Sequence, residues 1–269
     1  MIALIDSDIL LFRSCCSVEY TTYLHPEEGT FRRKKELTDF LKFQYDPDGP
    51  EQNLEHIKPI VVTEPVKRAF QAFDASIASI MRETDADSYT LVVKGEKENF
   101  RKSIPYPVEY KGGRAEKPSN YKQVQEYMLS LPNLYFAEGM EVDDALGILQ
   151  DKETDTTVIC TVDKDLKMIP GLYFHLDKKK MVKITEDVGN RYFWMQMLTG
   201  DSTDNILGIR GIGEKIAEKL LPPDMSWEHM EYKVREEYDK FFGPEKGDMM
   251  YKANQRLLWI LREPLNEIS

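Results

Sequence analysis

The stretch Leu134-Tyr135-Phe136-Ala137-Glu138-Gly139-Met140-Glu141-Val142-Asp143-Asp144-Ala145-Leu146-Gly147-Ile148-Leu149 changes period partway along. Leu134 to Ala137 reads as a short buried strand, and Val142 to Leu149 opens a helix. Between them lies a turn rich in acids, with Glu141, Asp143 and Asp144 on the way into the helix. The same order recurs on both sides. Ile2 to Ile5 is an apolar run that ends at Asp6-Ser7-Asp8. Val66 to Met81 carries Val66, Ala69, Phe70, Phe73, Ile77 and Ile80 at helical spacing, and Tyr89 to Val93 follows as a strand. Tyr121 to Leu131 reads as a helix, Thr157 to Val162 and Leu172 to Leu176 as strands. Strands alternating with helices predict an α/β fold, a parallel sheet with helices on both faces.

Three regions depart from that rhythm. Residues 20–58 are charged, weakly periodic and read as an irregular excursion. Residues 95–118 are basic and aromatic, broken by Pro and Gly, and read as a long loop or arch. From Thr185 the pattern turns helical, with Thr185 as N-cap and Glu186 and Asp187 in the first turn. Gly208 to Gly213 leads into a helix from Glu214 to Leu221, which Pro222-Pro223 stops. The tail from Ser226 is helical and charged. A domain boundary is expected near 184, and no internal repeat is present.

Composition narrows the classes. The chain has 269 residues, 41% hydrophobic and 31% charged, enough for one large domain or two modest ones. No apolar run reaches the roughly 20 residues that span a bilayer, and the expectation is a protein without membrane contact. The start lacks the basic segment and long apolar core of a signal peptide. Cys15 and Cys16 are adjacent and Cys160 stands apart, which makes neither a disulfide framework nor zinc spacing. Reduced thiols in a cytoplasm are the expected state. Formal charge is −11, from 36 basic and 47 acidic residues. That argues against a generally basic binding surface, yet acids gathered in a metal site are neutralised locally.

The acids fall where such a sheet places sites, beyond the carboxyl ends of strands. Asp6 and Asp8 follow the first strand, Glu141, Asp143 and Asp144 a later one, and Asp163 and Asp165 the strand ending at Val162. Asp201 and Asp204, three apart, share a face if that segment is helical. Gathered carboxylates repel one another, and divalent ions remove that cost. Oxygen ligands without His or Cys select Mg²⁺ or Mn²⁺ over zinc. Two such ions about 3.5–4 Å apart clamp the attacking and leaving oxygens of phosphodiester cleavage. Each cluster alone has an ordinary reading, as a turn former, a helix cap or a dipole partner. Several clusters at equivalent strand ends are much harder to explain that way.

Gly139-Met140-Glu141-Val142-Asp143-Asp144-Ala145 resembles a motif of the 5′-nuclease, or flap endonuclease, superfamily. Thr161-Val162-Asp163-Lys164-Asp165-Leu166, Gly200-Asp201-Ser202-Thr203-Asp204-Asn205 and Gly208-Ile209-Arg210-Gly211-Ile212-Gly213-Glu214-Lys215 extend the resemblance in family order and spacing. It covers roughly residues 1–223, weakly between 20 and 58, and is nearest to bacteriophage 5′→3′ exonucleases of podovirus type. The resemblance implies a PIN-like (resolvase-like) nuclease domain over 1–184, with an arch at about 95–130. It implies a helical DNA-binding domain over 185–269, with a helix-three-turn-helix at about 199–221. Asp6, Glu141, Asp143 and Asp144 would serve mainly a first Mg²⁺, and Asp163, Asp165, Asp201 and Asp204 a second, with Mn²⁺ able to substitute. Many relatives carry an acid where this chain has Lys94; Glu96 is either the replacement, freed to turn back by Gly95, or a solvated loop residue. Asp8 stands beside the ligands rather than among them.

The resemblance also implies contacts to nucleic acid. Lys111 and Arg114 match arch residues that reach the scissile phosphate. By residue type, Arg101 and Tyr106, with Phe100, Lys102 and Tyr110 nearby, place cations and rings where a backbone and an unpaired base could meet them; the rings have an ordinary role in packing the loop onto the sheet, and for Phe100 that role is the expected one. Gly211 and Gly213 let the chain approach a phosphate, and Lys215 adds charge one turn in. Family members often hold K⁺ in this turn. The implied substrates are double-stranded DNA with 5′ ends, nicks or flaps, and RNA–DNA hybrids. The implied partners are other replication proteins, and the implied place is a cytoplasm, the host's if the gene is a phage's. Three rivals share parts of the pattern. An RNA-directed PIN-like nuclease would use the same acids without the Gly-rich turn. A degenerate nucleic-acid-binding module would have lost chemistry through Lys94. A haloacid-dehalogenase-like phosphatase would use Asp6-Ser7-Asp8, but its Ser/Thr and Lys partners are not evident.

Overall fold

The computed structural model of the chain describes residues 1–25, 29–32, 35–36, 39, 58–112, 116–150 and 155–264. They form two compact units, one of Met1–Ile9, Ile77–Glu116 and Pro132–Ser269, the other of Leu10–Ser76 and Lys117–Leu131.

The first unit is built on a six-stranded sheet. Its strands are β1 (Ile2–Asp6), β5 (Ser88–Lys94), β6 (Leu134–Ala137), β7 (Thr157–Thr161), β8 (Gly171–His175) and β9 (Lys180–Ile184), in the order β6-β5-β1-β7-β8-β9. All neighbours run parallel except β8 and β9. β1 lies centrally, with Ile5 opposite Leu91 on one side and Cys160 on the other. Apolar runs such as Ala3-Leu4-Ile5 and Val158-Ile159-Cys160 are wholly buried, as strands covered on both faces must be. The antiparallel β9 was not anticipated. Its one buried side chain is Ile184, and its exposed lysines suit an edge.

Helices follow the strands. Helix α1 spans Ser7–Val18 and α2 spans Lys67–Thr84, longer at its end than the apolar pattern predicts. Helix α3 spans Tyr121–Leu129 and α4 spans Val142–Leu149. Helix α5 spans Glu186–Thr199, and Thr185 caps it by accepting from Val188 N–H. Helices α6 (Glu214–Leu220), α7 (Trp227–Phe242) and α8 (Pro244–Leu258) complete the first unit, whereas α3, most of α1 and the first half of α2 belong to the second.

The expected boundary at 184 does not separate two compact units. Phe193, Trp194, Met197 and Leu198 of α5 are buried in one core with Leu4, Val92 and Ile159 of the sheet and with Val234, Tyr238, Tyr251 and Leu257 of α7 and α8. A change from alternating to helical sequence marks a change of element, whereas a boundary requires two separate cores. The second unit also corrects the reading of 20–58 at its two ends, while 26–28, 33–34, 37–38 and 40–57 lie outside the described residues. Among its described residues, β2 (Glu19–His25) pairs antiparallel with β3 (Gly29–Phe31) and with β4 (Lys58–Thr63). The expected arch at about 95–130 spans both units and includes 113–115, which lie outside the described residues.

An acidic cleft at the strand ends

The chain leaves β1 for β5 and β6 on one side, then returns to build β7 and β8 on the other. The crevice beyond β1 and β7 is therefore a switch point, where the flanking connections diverge and leave room for a ligand. A cleft of about 360 Å³ opens there. Asp6, Asp8, Glu141, Asp143, Asp163, Asp165 and Asp204 line it, facing the ammonium-bearing Lys94, Lys102 and Lys111.

The inner wall is made of three short segments. Asp6 ends β1, and its Oδ2 accepts from Thr161 Oγ1 at 2.8 Å. The same hydroxyl accepts from Asp163 N–H at 3.0 Å, so one threonine at the end of β7 sets two carboxylate positions. Asp163 Oδ1 then accepts from Asp165 N–H at 2.8 Å, and Tyr173 donates to the Asp163 carbonyl at 3.0 Å. Burial pushes the Asp6 carboxyl up to about 7; the Thr161 bond pulls back, while Asp8 and Asp163 add like-charge repulsion. Asp143 is held well above the ordinary carboxylate range, by burial first and then by Asp6, Asp163 and Glu141. These acids crowd one another, as clustering at the strand ends predicts.

The mouth is organised around Lys111. Its Nζ donates to Glu141 Oε1 at 2.6 Å and lies 3.2 Å from Asp204 Oδ2, with all three side chains about one-fifth exposed. Tyr110 donates to the same two carboxylates, at 3.0 and 3.3 Å, and Asn99 donates its amide to Glu141 Oε1 at 2.8 Å. Burial works against the Glu141 charge, yet Lys111 and Arg101 hold its pKa below the usual value. Burial raises that of Asp204 despite Lys111. Lys111 adopts φ 58° and donates its own N–H to the Asp204 carbonyl at 2.9 Å, so backbone and side chain both tie it to that loop.

Asp165 is steadied from α5. Gln196 donates to its Oδ1 at 2.7 Å and Tyr192 at 3.3 Å. Burial raises its pKa to about 7, with Asp163 and Asp201 adding repulsion. Asp201 lines an adjoining depression with Tyr192, Gln196 and Glu214, and accepts from Thr203 N–H at 2.8 Å. The segment of Asp201 and Asp204 is not helical, so the condition under which they would share a helical face is not met. They belong to a hairpin of β10 (Gly200–Asp201) and β11 (Ile206–Leu207). Gly200 has φ 70°, and a Cβ on Gly208 would stand 2.2 Å from the Thr199 carbonyl; this close crossing requires glycine on both strands.

Two expected roles are overturned. Asp144 is fully buried and outside the cleft lining. Its Oδ1 accepts from Arg101 Nη2 at 2.8 Å and Leu261 N–H at 3.0 Å; its Oδ2 accepts from Arg101 Nη1 and from Glu141 N–H at 3.0 Å. With both oxygens engaged by protein donors, Asp144 is a structural residue and not a metal ligand. Arg101 is 2% exposed and also donates to the carbonyls of Leu257 at 2.9 Å and Trp259 at 2.6 Å, so it cannot meet nucleic acid. Its neighbour Lys102 is the one that lines the cleft.

The remaining candidates divide. Glu96 is exposed and outside the cleft lining, where Lys94 and Asn99 stand. The Tyr106 hydroxyl is taken up by Leu207, accepting its N–H at 2.7 Å, which makes the ring an anchor for its loop. Gly211 (φ 95°), Gly213 and Lys215 are exposed at the start of α6, apart from the cleft lining. Arg114 lies outside the described residues. Tyr192, Gln196, Thr161 and Asn99 were not singled out in the sequence. The first two share a helical face at i and i+4, the only advance sign that they act together.

Whether these residues suit divalent ions can be judged from their chemistry. The donors are all oxygens, desolvated and mutually repelling. Gln196 Oε1 is buried without a hydrogen-bond partner beside Asp165, an acceptor open to a cation or its water. Among the described residues no three acids stand close enough to close on one ion as they are. Lys111 Nζ occupies the space between Glu141 and Asp204, so their closure on an ion requires that ammonium to move. The donor set fits hard cations after a local side-chain shift.

Fold and acids together define a PIN-like α/β protein with a helical extension. No family model matches the chain. Among curated proteins it is 34% identical over 138 residues to DNA polymerase I of Chloroflexus aurantiacus, 42% of this chain and 14% of that one. It is 34% identical over 114 residues to the 5′-3′ exonuclease of Bacillus subtilis, 35% of this chain and 36% of that one. The matches thus span well under half of these relatives. A crystal structure of the bacteriophage T5 D15 flap endonuclease, in complex with DNA and metal ions, superposes with TM-score 0.51 and 14% identity, over 96% of this chain and 97% of that one. The chain is similar over part of its length to DNA polymerase I and 5′-3′ exonuclease sequences, and it shares the fold of the T5 enzyme.

Proposed function

We propose that the chain is a divalent-metal-dependent 5′→3′ exonuclease and structure-specific 5′ nuclease, acting on DNA at 5′ ends, nicks and flaps. Removal of RNA from RNA–DNA hybrids, in phage-type replication or recombination alongside other replication proteins, belongs to the same proposal. The carrying observation is the convergence of Asp6, Asp143, Asp163 and Asp165 on one cleft wall with Lys111 at its mouth. Partial sequence similarity to the Bacillus subtilis 5′-3′ exonuclease, and a fold shared with the T5 enzyme whose structure holds DNA and metal ions, support the reading. No described helix is long and apolar enough to cross a membrane.

Two hard divalent ions, Mg²⁺ or Mn²⁺, would supply water activation and neutralisation of the leaving oxygen. Asp6, Glu141 and Asp143 would hold the first, and Asp163, Asp165, Asp201 and Asp204 the second. Thr161, Asn99, Tyr110, Gln196 and Tyr192 aim these carboxylates through neutral donors. Lys111, released from Glu141 and Asp204, would carry its ammonium to the phosphate and stabilise charge developing there. Arg114 would assist as a bidentate phosphate contact. Gly211, Gly213 and Lys215 would grip the duplex backbone, with K⁺ at the turn, and reading the backbone gives little base preference. Products would carry a 5′-phosphate and a 3′-hydroxyl.

The test is a 5′-flap, a nicked duplex and a single strand, each labelled at either end, incubated with and without Mg²⁺. Release of short 5′-terminal products only with metal is expected. No product on any substrate in metal would leave a binding module, and preference for a matched RNA flap over DNA would favour the RNA-directed rival.

A further inference from the structure

The geometry points to Arg101 and Asp144 as a buried positioning pair through which the chain segment 257–261 holds the ligand-bearing turn Glu141–Asp143. This rests on the metal-dependent reading above. The guanidinium spans Asp144 on one side and the carbonyls of Leu257 and Trp259 on the other. Asp144 in turn accepts from Glu141 N–H and Leu261 N–H, so one ion pair joins three stretches distant in sequence. A second contact supports the same docking: a Cβ on Gly147 would meet the Leu261 carbonyl at 2.3 Å, so the strap lies directly on α4. Asn99 extends the assembly to the ligand. Its Oδ1 accepts from Arg101 N–H at 3.0 Å, and its amide donates to Glu141.

Each link acts on orientation rather than on chemistry. Arg101 fixes Asp144, Asp144 fixes the backbone at Glu141, and Asn99 fixes the Glu141 carboxylate. Supporting hydrogen bonds of this kind typically alter metal affinity by about 10–100-fold. The guanidinium grips both Asp144 oxygens side by side and two carbonyls besides, one bond more than the three hydrogens of an ammonium can make.

The test measures Mn²⁺ binding to the full chain by electron paramagnetic resonance of free Mn²⁺, with circular dichroism to establish folding. Arg101→Lys is expected to raise the half-saturating Mn²⁺ concentration about tenfold or more. Its affinity for a flapped duplex in EDTA should stay within about twofold, with an unchanged salt slope, because the side chain meets no phosphate. Asp144→Asn, which keeps shape and one acceptor, should retain the parent's number of bound ions, whereas Asp143→Asn should lose one. A folded Arg101→Lys with parental Mn²⁺ affinity overturns the proposal. So does loss of DNA affinity in EDTA, or loss of an ion in Asp144→Asn to match Asp143→Asn. Failure of the parent chain itself to bind Mn²⁺ would instead sink the nuclease reading.

Discussion

Replacing Asp6 by Asn should stabilise the metal-free protein, and the size of the gain can be worked out from its surroundings. Burial and the charges of Asp8 and Asp163 raise this carboxyl from 3.8 to about 7. A raised carboxyl pKa means that the folded protein holds the proton more tightly than the unfolded chain does. Stability therefore falls as pH climbs from the lower value to the higher and is level above it. The gap is about three units at about 1.4 kcal/mol each, so the ionised group costs about 4 kcal/mol at pH 8 and about 1.5 kcal/mol at pH 5. Asn keeps an oxygen for the Thr161 hydroxyl but turns an amino group toward Ile9 N–H, where Asp6 accepts at 3.4 Å. That mismatch costs about 1–2 kcal/mol at either pH. The balance is a gain of about 2–3 kcal/mol at pH 8, roughly 5–10 °C in Tm for a chain of this size, and close to none at pH 5. Thermal melts in EDTA at both pH values measure it. With Mn²⁺ added, the parent should gain stability and the variant much less, because a ligand has gone. An Asp6→Asn variant that melts below the parent in EDTA at pH 8 would refute the idea that repulsion dominates this cleft.

Other residues give separate expectations. Asp163→Ala should abolish cleavage while leaving DNA binding in EDTA largely intact, read from product gels and mobility shifts on the same flap; retained turnover would remove Asp163 from the site. Lys111→Met takes away the ammonium between Glu141 and Asp204. It should lower kcat by about 10²–10³ with little change in DNA affinity, and unchanged single-turnover rates would show that Lys111 serves only the carboxylates. Lys215→Ala should weaken binding evenly across sequences and reduce the slope of log affinity against log salt by about 1; a sequence-dependent loss would mean base contact instead.

Most of the sheet was legible because buried parallel strands announce themselves as apolar runs, and an acid at the end of each such run is placed by topology alone. Asp6, Asp143, Asp163 and Asp165 needed no more than that. Arg101 and Asp144 were misread for a physical reason. A charged residue in a basic loop or an acidic motif looks solvent-facing until its partner is known. Here the partners include carbonyls some 156 and 158 residues further along the chain. The choice between Arg101 and Lys102 for the cleft is likewise made by the short 3₁₀ turn over Phe100–Ser103, which sends adjacent side chains in different directions. Asp201 and Asp204 share a face only if their segment is helical, and it is a hairpin. Three-residue spacing suits a helical face and a hairpin equally, and the crossing of Gly200 with Gly208 is visible only in three dimensions.

The hydrogen-bond partners of the acids follow a pattern that bears on function. Thr161, Tyr110, Asn99, Tyr192 and Gln196 are neutral donors. Each fixes the direction of a carboxylate while leaving its charge unquenched. A ring of arginines would also have stabilised the folded chain, but it would compete with any divalent ion for the same oxygens. The guanidinium that does lie close, Arg101, has its donors engaged by Asp144 and main-chain carbonyls. Lys111 does touch cleft carboxylates, Glu141 and Asp204, from a long, partly exposed side chain that can swing away. Orientation by neutral groups with repulsion left standing is what a site gains from if its stabilising charge is to come from bound ions.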